Sequence, residues 1–360
     1  MGRCRYHPGR HAGRPPGGRA RVTVTSQPAA VVDSSSDVGA ASGPVVDLAI
    51  ELAGVRLPTP VMTASGCAAA GRELAPFLDV AAIGAVVTKS VRLDPRSGRA
   101  TPRMVETPSG MLNSIGLQGP GIDAFLATDL PWLVSHGARA VVSIAGGSLG
   151  EYAELGRRVG SSPGVAAVEV NISCPNVENR GLVFACDPFQ AARAVSAARR
   201  GIPRDVPVLA KLSPDVTDLV SIADSVMEAG ATGLTLINTT LGLAIDHDTM
   251  RPVLAGTTGG LSGPAIRPLA VRCVWQVHQA MPDVPIVGVG GVRTGRDAFE
   301  FLLAGATAVQ VGTVVFHDPS APHRVANELQ VALAARGLRS PAEAVGLAHQ
   351  PRPRPEGTDD

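Results

Sequence analysis

Short apolar runs that stop at small or polar residues punctuate positions 60–313, and longer stretches with helical spacing separate them. Residues 60–64 run into Ser65-Gly66, 82–87 into Thr88-Lys89-Ser90, 140–144 into Ala145-Gly146-Gly147, and 165–170 into Asn171-Ile172-Ser173-Cys174-Pro175-Asn176. Four more follow: 206–210 into Lys211-Leu212-Ser213, 233–237 into Asn238-Thr239-Thr240, 284–289 into Gly290-Gly291, and 306–311 into Gly312-Thr313. The stretches 187–200, 218–229, 266–280 and 297–303 carry the helical period. Eight strands, most followed by a helix, predict an α/β fold, a parallel (β/α)8 TIM barrel, because parallel strands need crossovers and a closed sheet of eight has no edge. A doubly wound open sheet is the alternative. It concentrates ligand contacts near one switch point, whereas polar motifs follow all eight runs here.

The ends of the chain read differently. Residues 1–46 set Arg3, Arg5, Arg10, Arg14, Arg19 and Arg21 among Gly and Pro, then pass into a Ser, Ala and Val tract. That composition cannot build a packed core, so it predicts a disordered extension or a start codon assigned too early. Residues 47–345 form the expected barrel domain and 346–360 a flexible tail. With 360 residues, 45% hydrophobic content and mean hydropathy +0.18, the chain can bury a large core. Net charge +1 and 3% aromatic residues argue against a nucleic-acid partner or an anionic membrane surface, and favour a small-molecule ligand. The five cysteines are scattered with no C-x-x-C pair, which argues against a metal or iron-sulfur site and fits a reducing, cytoplasmic setting.

In a barrel the C-terminal strand ends converge, so these distant motifs are expected to share one pocket. In 171–176, Pro175 delays the next helix and holds the Cys174 thiol at the strand mouth. The alternative is a buried, inert core cysteine. Asn113, Asn171, Asn176 and Asn238 bring four amides to one mouth, which suits a planar ring bearing alternating N–H and C=O groups. Lys89 and Lys211 end strands, where each needs an anion: a cofactor that turns negative on reduction, or a substrate carboxylate. A snorkelling surface lysine is the alternative for either one. Gly290-Gly291 and Gly312-Thr313, with Gly263 before a helical run, are expected to bind phosphate through backbone N–H groups. Asn113-Ser114-Ile115-Gly116-Leu117 offers a further amide and backbone donors.

Thr88-Lys89-Ser90, the 113–117 motif, the 171–176 hexapeptide, Ile237-Asn238-Thr239, the Gly-Gly-Leu-Ser-Gly-Pro-Ala-Ile run at 259–266 and Gly290-Gly291 together resemble the class 1 dihydroorotate dehydrogenases. Ala244-Ile245-Asp246 and the 259–266 run resemble the class 1B catalytic subunit. The likeness covers residues 47–345. It implies FMN as cofactor, held at Ser65, Lys89, Ser90, Asn171, Lys211, Ile237, Gly263, Gly290, Gly291, Gly312 and Thr313. Substrate contacts are implied at Lys89, Asn113, Ser114, Ile115, Gly116, Leu117, Asn171, Asn176, Asn238 and Thr239, with Cys174 as general base. Ser143 stands where relatives commonly carry an asparagine that touches the flavin; its hydroxyl would make a shorter contact. Cys67 and Cys186 read as incidental.

The reaction implied is oxidation of (S)-dihydroorotate to orotate in de novo pyrimidine (UMP) biosynthesis. Cys174 removes the C5 proton while the C6 hydride passes to the flavin, whose reduced ring Lys211 stabilises. The segment 177–185 is expected to close over the substrate, a static exposed loop being the alternative. The chain has neither a cysteine cluster nor a G-x-G-x-x-G fingerprint after a strand. The class 1B resemblance accordingly implies an iron-sulfur and FAD-containing partner subunit that passes electrons to NAD, around a homodimeric core. Alternatives are a class 1A-like fumarate-linked enzyme, a related FMN barrel acting on another pyrimidine, and a non-catalytic flavin-binding subunit.

Overall fold

The computed structural model describes residues 45–172 and 181–351, apart from the side chains of 181–183. Cys174, Asn176, residues 177–180 and the segment 1–44 lie outside them. The parallel barrel predicted from the apolar runs is present. Its strands are β1 (Val61–Thr63), β2 (Val86–Val87), β3 (Ala140–Ile144), β4 (Val165–Asn171), β5 (Val208–Leu212), β6 (Gly233–Leu236), β7 (Ile286–Val289) and β8 (Ala308–Val311). Each ladder from β2 through β8 and back to β1 is parallel. The seam between β1 and β2 closes through the Thr63 N–H on Ala85 O at 3.2 Å and the Val87 N–H on Thr63 Oγ1 at 2.9 Å. A Cβ on Gly84 would lie 2.4 Å from Thr59 O, so the chain can approach β1 this closely only with glycine there.

Period-two alternation sorts each strand into an outer and an inner face. Outward residues such as Val61, Val142, Val168, Ala210, Leu234 and Val309 pack with Leu155, Ala194, Ile222, Val274, Phe301 and Leu329 of the surrounding helices. Serine, aspartate or threonine caps four of those helices: Ser148 on Leu149–Gly160, Asp187 on Pro188–Arg199, Asp218 on Leu219–Glu228 and Thr294 on Gly295–Leu303. Inward residues Met62, Val87, Val141, Ala167, Leu209, Val287 and Ala308 form a second cluster with Ile50, Leu52 and Leu57. Those three belong to an antiparallel hairpin, Ile50–Leu52 with Val55–Leu57, that stops the N-terminal end of the barrel.

Two residues further along the same faces the interior turns polar: Ser143, Glu169, Lys211 and Gln310 are all buried. Above them lie Asn171 and Gly312, at the C-terminal mouth. A separate antiparallel sheet, Thr240–Gly242, Gly259–Ser262, Gly110–Asn113 and Met104–Thr107 in that order, is built from the segments that follow β2 and β6. Among the described residues no helix is long and apolar enough to cross a membrane.

Candidate active site

A cavity of about 820 Å³ is lined by residues at or just beyond the C-terminal ends of seven of the eight strands. Of the positions read from the sequence, Ser65, Lys89, Ser90, Asn113, Ile115, Gly116, Leu117, Asn171, Lys211, Ile237, Asn238, Thr239, Gly263, Gly290, Gly291, Gly312 and Thr313 all line it. Residues as far apart in the sequence as Ser65 and Thr313 meet there because every parallel strand ends at the same face. Ser114 is not part of the lining; it is fully buried, and its Oγ accepts from Arg99 NH1 at 3.0 Å. Ser143 is also behind the wall, where its hydroxyl lies 2.9 Å from Ser90 Oγ.

The polar wall is a continuous run of hydrogen bonds across strand ends. Ser65 Oγ lies 3.4 Å from Ser90 Oγ, Asn171 Nδ2 donates to Ser90 Oγ at 3.0 Å, and Asn238 Nδ2 donates to Asn171 Oδ1 at 3.3 Å. The Thr239 N–H closes the run on Asn238 Oδ1 at 2.9 Å. Behind it the Tyr152 hydroxyl donates to the Asn171 carbonyl at 2.8 Å, tying the β4 terminus to helix Leu149–Gly160. These bonds fix the orientation of both asparagine side chains at the cavity wall.

The opposite wall comes from the extra sheet. Met104, Glu106, Met111 and Asn113 line the cavity, and Asn113 Nδ2 donates to Gly260 O at 3.3 Å across the ladder. Gly263, Gly290 and Gly291 meet at one end with φ of 93°, 139° and 74°. A Cβ on Gly291 would stand 2.8 Å from Gly263 O, so side chains are excluded and the backbone itself forms the surface. Thr313, whose Oγ1 donates to Ser262 Oγ at 2.9 Å, borders the same end.

Lys211 stands on the floor, 5% exposed, with its Nζ 3.5 Å from Glu169 Oε1. The Glu169 carboxylate is wholly buried, and its Oε2 accepts from Gln310 Nε2 at 2.9 Å. Neither Glu169 nor Gln310 was singled out in the sequence, although an acid and an amide on the inward register of apolar strands were the available signal. Cys67, read as incidental, lines the cavity beside the lysines: burial pushes its thiol pKa up, and Lys211 and Lys89 pull it part of the way back. Arg293, Phe316 and His317 also border the cavity without having been anticipated.

A closed parallel barrel with a polar, lysine-bearing cavity at the C-terminal ends of its strands is the architecture of a (β/α)8-barrel enzyme. Residues 47–333 match the family model described as dihydroorotate dehydrogenase, and the chain belongs to that family. It is 51% identical over 300 residues to the dihydroorotate dehydrogenase B (NAD(+)) catalytic subunit of Geotalea daltonii, covering 83% of this chain and 97% of that protein. The catalytic subunit of the same name from Desulforudis audaxviator is 48% identical over 305 residues, covering 85% and 98%. A crystal structure of dihydroorotate dehydrogenase from Eimeria tenella in complex with ferulenol superposes with a TM-score of 0.71 at 24% identity. It covers 85% of this chain and 89% of that one, and supports the fold.

Proposed function

We propose that this chain oxidises (S)-dihydroorotate to orotate in pyrimidine biosynthesis, with FMN as cofactor and Cys174 as general base. The observation that carries the reading is the gathering of two lysines, a fixed amide and hydroxyl wall and a side-chain-free glycine end in one cavity of about 820 Å³. The relatives' shared name, dihydroorotate dehydrogenase B catalytic subunit, supports the same chemistry.

The residues present fit FMN. The glycine end, where a Cβ on Gly291 would strike the Gly263 carbonyl, suits an anion approached by backbone, so Gly263, Gly290, Gly291, Gly312 and Thr313 would hold the phosphate. Ser65, Lys89, Ser90, Asn171, Lys211 and Ile237 would hold the ring system. When bound, FMN supplies a two-electron acceptor for the substrate's hydride. Lys89 offers a charge for the orotate carboxylate, and Asn113, Asn171, Asn176, Asn238 and Thr239 offer amide and hydroxyl partners for the pyrimidine edge. Ile115, Gly116 and Leu117 close the substrate side with apolar surface and backbone. Cys174 Sγ takes the C5 proton, a step that needs the thiolate and therefore favours higher pH.

The purified chain should be yellow, and anaerobic dihydroorotate should bleach it. Dihydrouracil, which lacks the carboxylate for Lys89, should not. Bleaching by both at equal rates would remove the substrate assignment, and a colourless protein that takes up no added FMN would remove the cofactor. Electrons are proposed to leave through an iron-sulfur and FAD partner subunit to NAD, with a homodimer of this chain as the core and the cytoplasm as the setting. The words catalytic subunit and NAD(+) in the relatives' names support that route.

A further inference from the structure

Glu169 lies one inward layer beneath the cavity, two residues before Asn171 on the same face of β4. It is 0% exposed, and the layer below it is apolar: Val141, Ala167, Leu209, Val287 and Ala308. A carboxylate in such a place is costly unless a charge answers it. Its two oxygens are used differently. Oε2 accepts a hydrogen bond from Gln310, whereas Oε1 has no hydrogen-bond partner and faces the Lys211 ammonium at 3.5 Å. The remaining members of the layer near Lys211 are neutral. Thr235, its cross-ladder neighbour, and Gln310 bring only a hydroxyl and an amide, so neither can replace the carboxylate's charge.

We propose that Glu169 is a positioning residue for the reaction: through the buried pair it fixes the Lys211 ammonium on the cavity floor, and through Gln310 it is itself anchored to β8. The inference rests on the reading of Lys211 as the cation that favours reduced FMN. The physical reason is desolvation. Out of water a buried ammonium needs an answering charge beside it, and a long lysine side chain without that partner has nothing to fix its Nζ in one place. With the carboxylate 3.5 Å away, Lys211 Nζ is held in place before negative charge develops above it. Glu169 does not line the cavity, so it acts on the cofactor through Lys211 and not by touching it.

The test measures the midpoint potential of bound FMN in the full chain, by photoreduction against a reference dye. That quantity reports the relative affinity for reduced and oxidised cofactor and requires no substrate. K211M should lower the preference for reduced FMN about tenfold, a fall of roughly 30 mV for a two-electron couple. E169Q, which keeps an acceptor for Gln310 but loses the charge, should reproduce that fall. E169D, which keeps the charge, should stay within about threefold of the unmodified chain. Should E169Q not yield folded protein, E169Q/K211M against K211M decides the matter: equal potentials support action through Lys211. A double variant that falls tenfold further overturns it, as does an E169Q potential unchanged while K211M has fallen. If K211M itself leaves the potential unmoved, the reading of Lys211 fails and this inference falls with it.

Discussion

The Cys67 thiol lines the cavity with Lys89 and Lys211 close enough to pull its pKa down, yet burial outweighs both and raises it. The Cys273 thiol is raised by burial as well, against a smaller pull from Arg272. A thiol whose folded pKa is raised keeps its proton when the unfolded chain has lost it, so above about pH 8.5 the native state binds more protons and stability falls as pH rises. Urea midpoints should therefore drop between pH 7 and pH 9.5, and Cys67→Ala should shrink the drop; an identical drop in that variant removes Cys67 as its source. Cys174 is proposed for the opposite use, as the thiol that must ionise to work. Its replacement by serine should slow dihydroorotate bleaching by roughly two orders of magnitude or more while the protein stays yellow, and bleaching of the unmodified chain should quicken as pH rises toward about 8.5. Stopped-flow traces of the flavin absorbance read both effects, and a serine variant as fast as the parent would end the general-base role. Of the 171–176 motif, Asn171 was read from its residue type and lines the cavity, whereas Cys174 and Asn176 lie outside the described residues. Glu169 was not read, because a single acid inside an apolar run becomes meaningful only when the lysine facing it is known.

Helix Gly295–Leu303 leaves the glycine end of the cavity under a capping box: Thr294 Oγ1 accepts from the Asp297 N–H at 3.2 Å, and Asp297 Oδ2 accepts from the Thr294 N–H at 2.9 Å. Asp297 also accepts from the Arg293 N–H at 2.9 Å and pairs with Arg267, which joins the start of this helix to the one before β7. Thr294→Ala should cost about 1 kcal/mol in denaturant unfolding, the usual value of such a cap; a loss under a few tenths would mean that Asp297 alone holds the helix start. At this scale the sequence read well. The run 140–144 is β3 as expected, and the four helical stretches each fall on an observed helix, the last of which starts two residues earlier, at Gly295. The run 82–87 shrinks to Val86–Val87, because residues 84 and 85 are spent on the closing seam instead of a regular ladder. The antiparallel sheet that walls the cavity was not anticipated. Its strands are three or four residues long in places rich in Gly and Ser, and pairings such as Leu261 with Leu112 span far too much chain for a local pattern to reveal.

The cavity opens at one end of the barrel, and Ile50, Leu52 and Leu57 stopper the other. In the proposed function electrons leave from the cavity side, and the five cysteines of the chain are scattered without an iron-sulfur pattern. Assayed alone with dihydroorotate, it should reduce an artificial dye but turn over slowly or not at all with NAD. Rapid NAD reduction by the isolated chain would dispense with the partner subunit, and efficient turnover with fumarate would move the enzyme to the other acceptor class.

Strand count, parallel topology and the set of residues at the strand ends follow from the sequence alone, because apolar runs that stop at polar motifs state both where a strand lies and where it ends. Folding decided what those residues face. It placed Ser114 and Ser143 behind the wall, brought Cys67 into the cavity, and set Glu169 and Gln310 beneath Lys211. The division has one cause. A strand's period is local and written in neighbouring residues, whereas the partner of a buried charge is chosen by strand order and register around a closed barrel, which only the tertiary structure fixes.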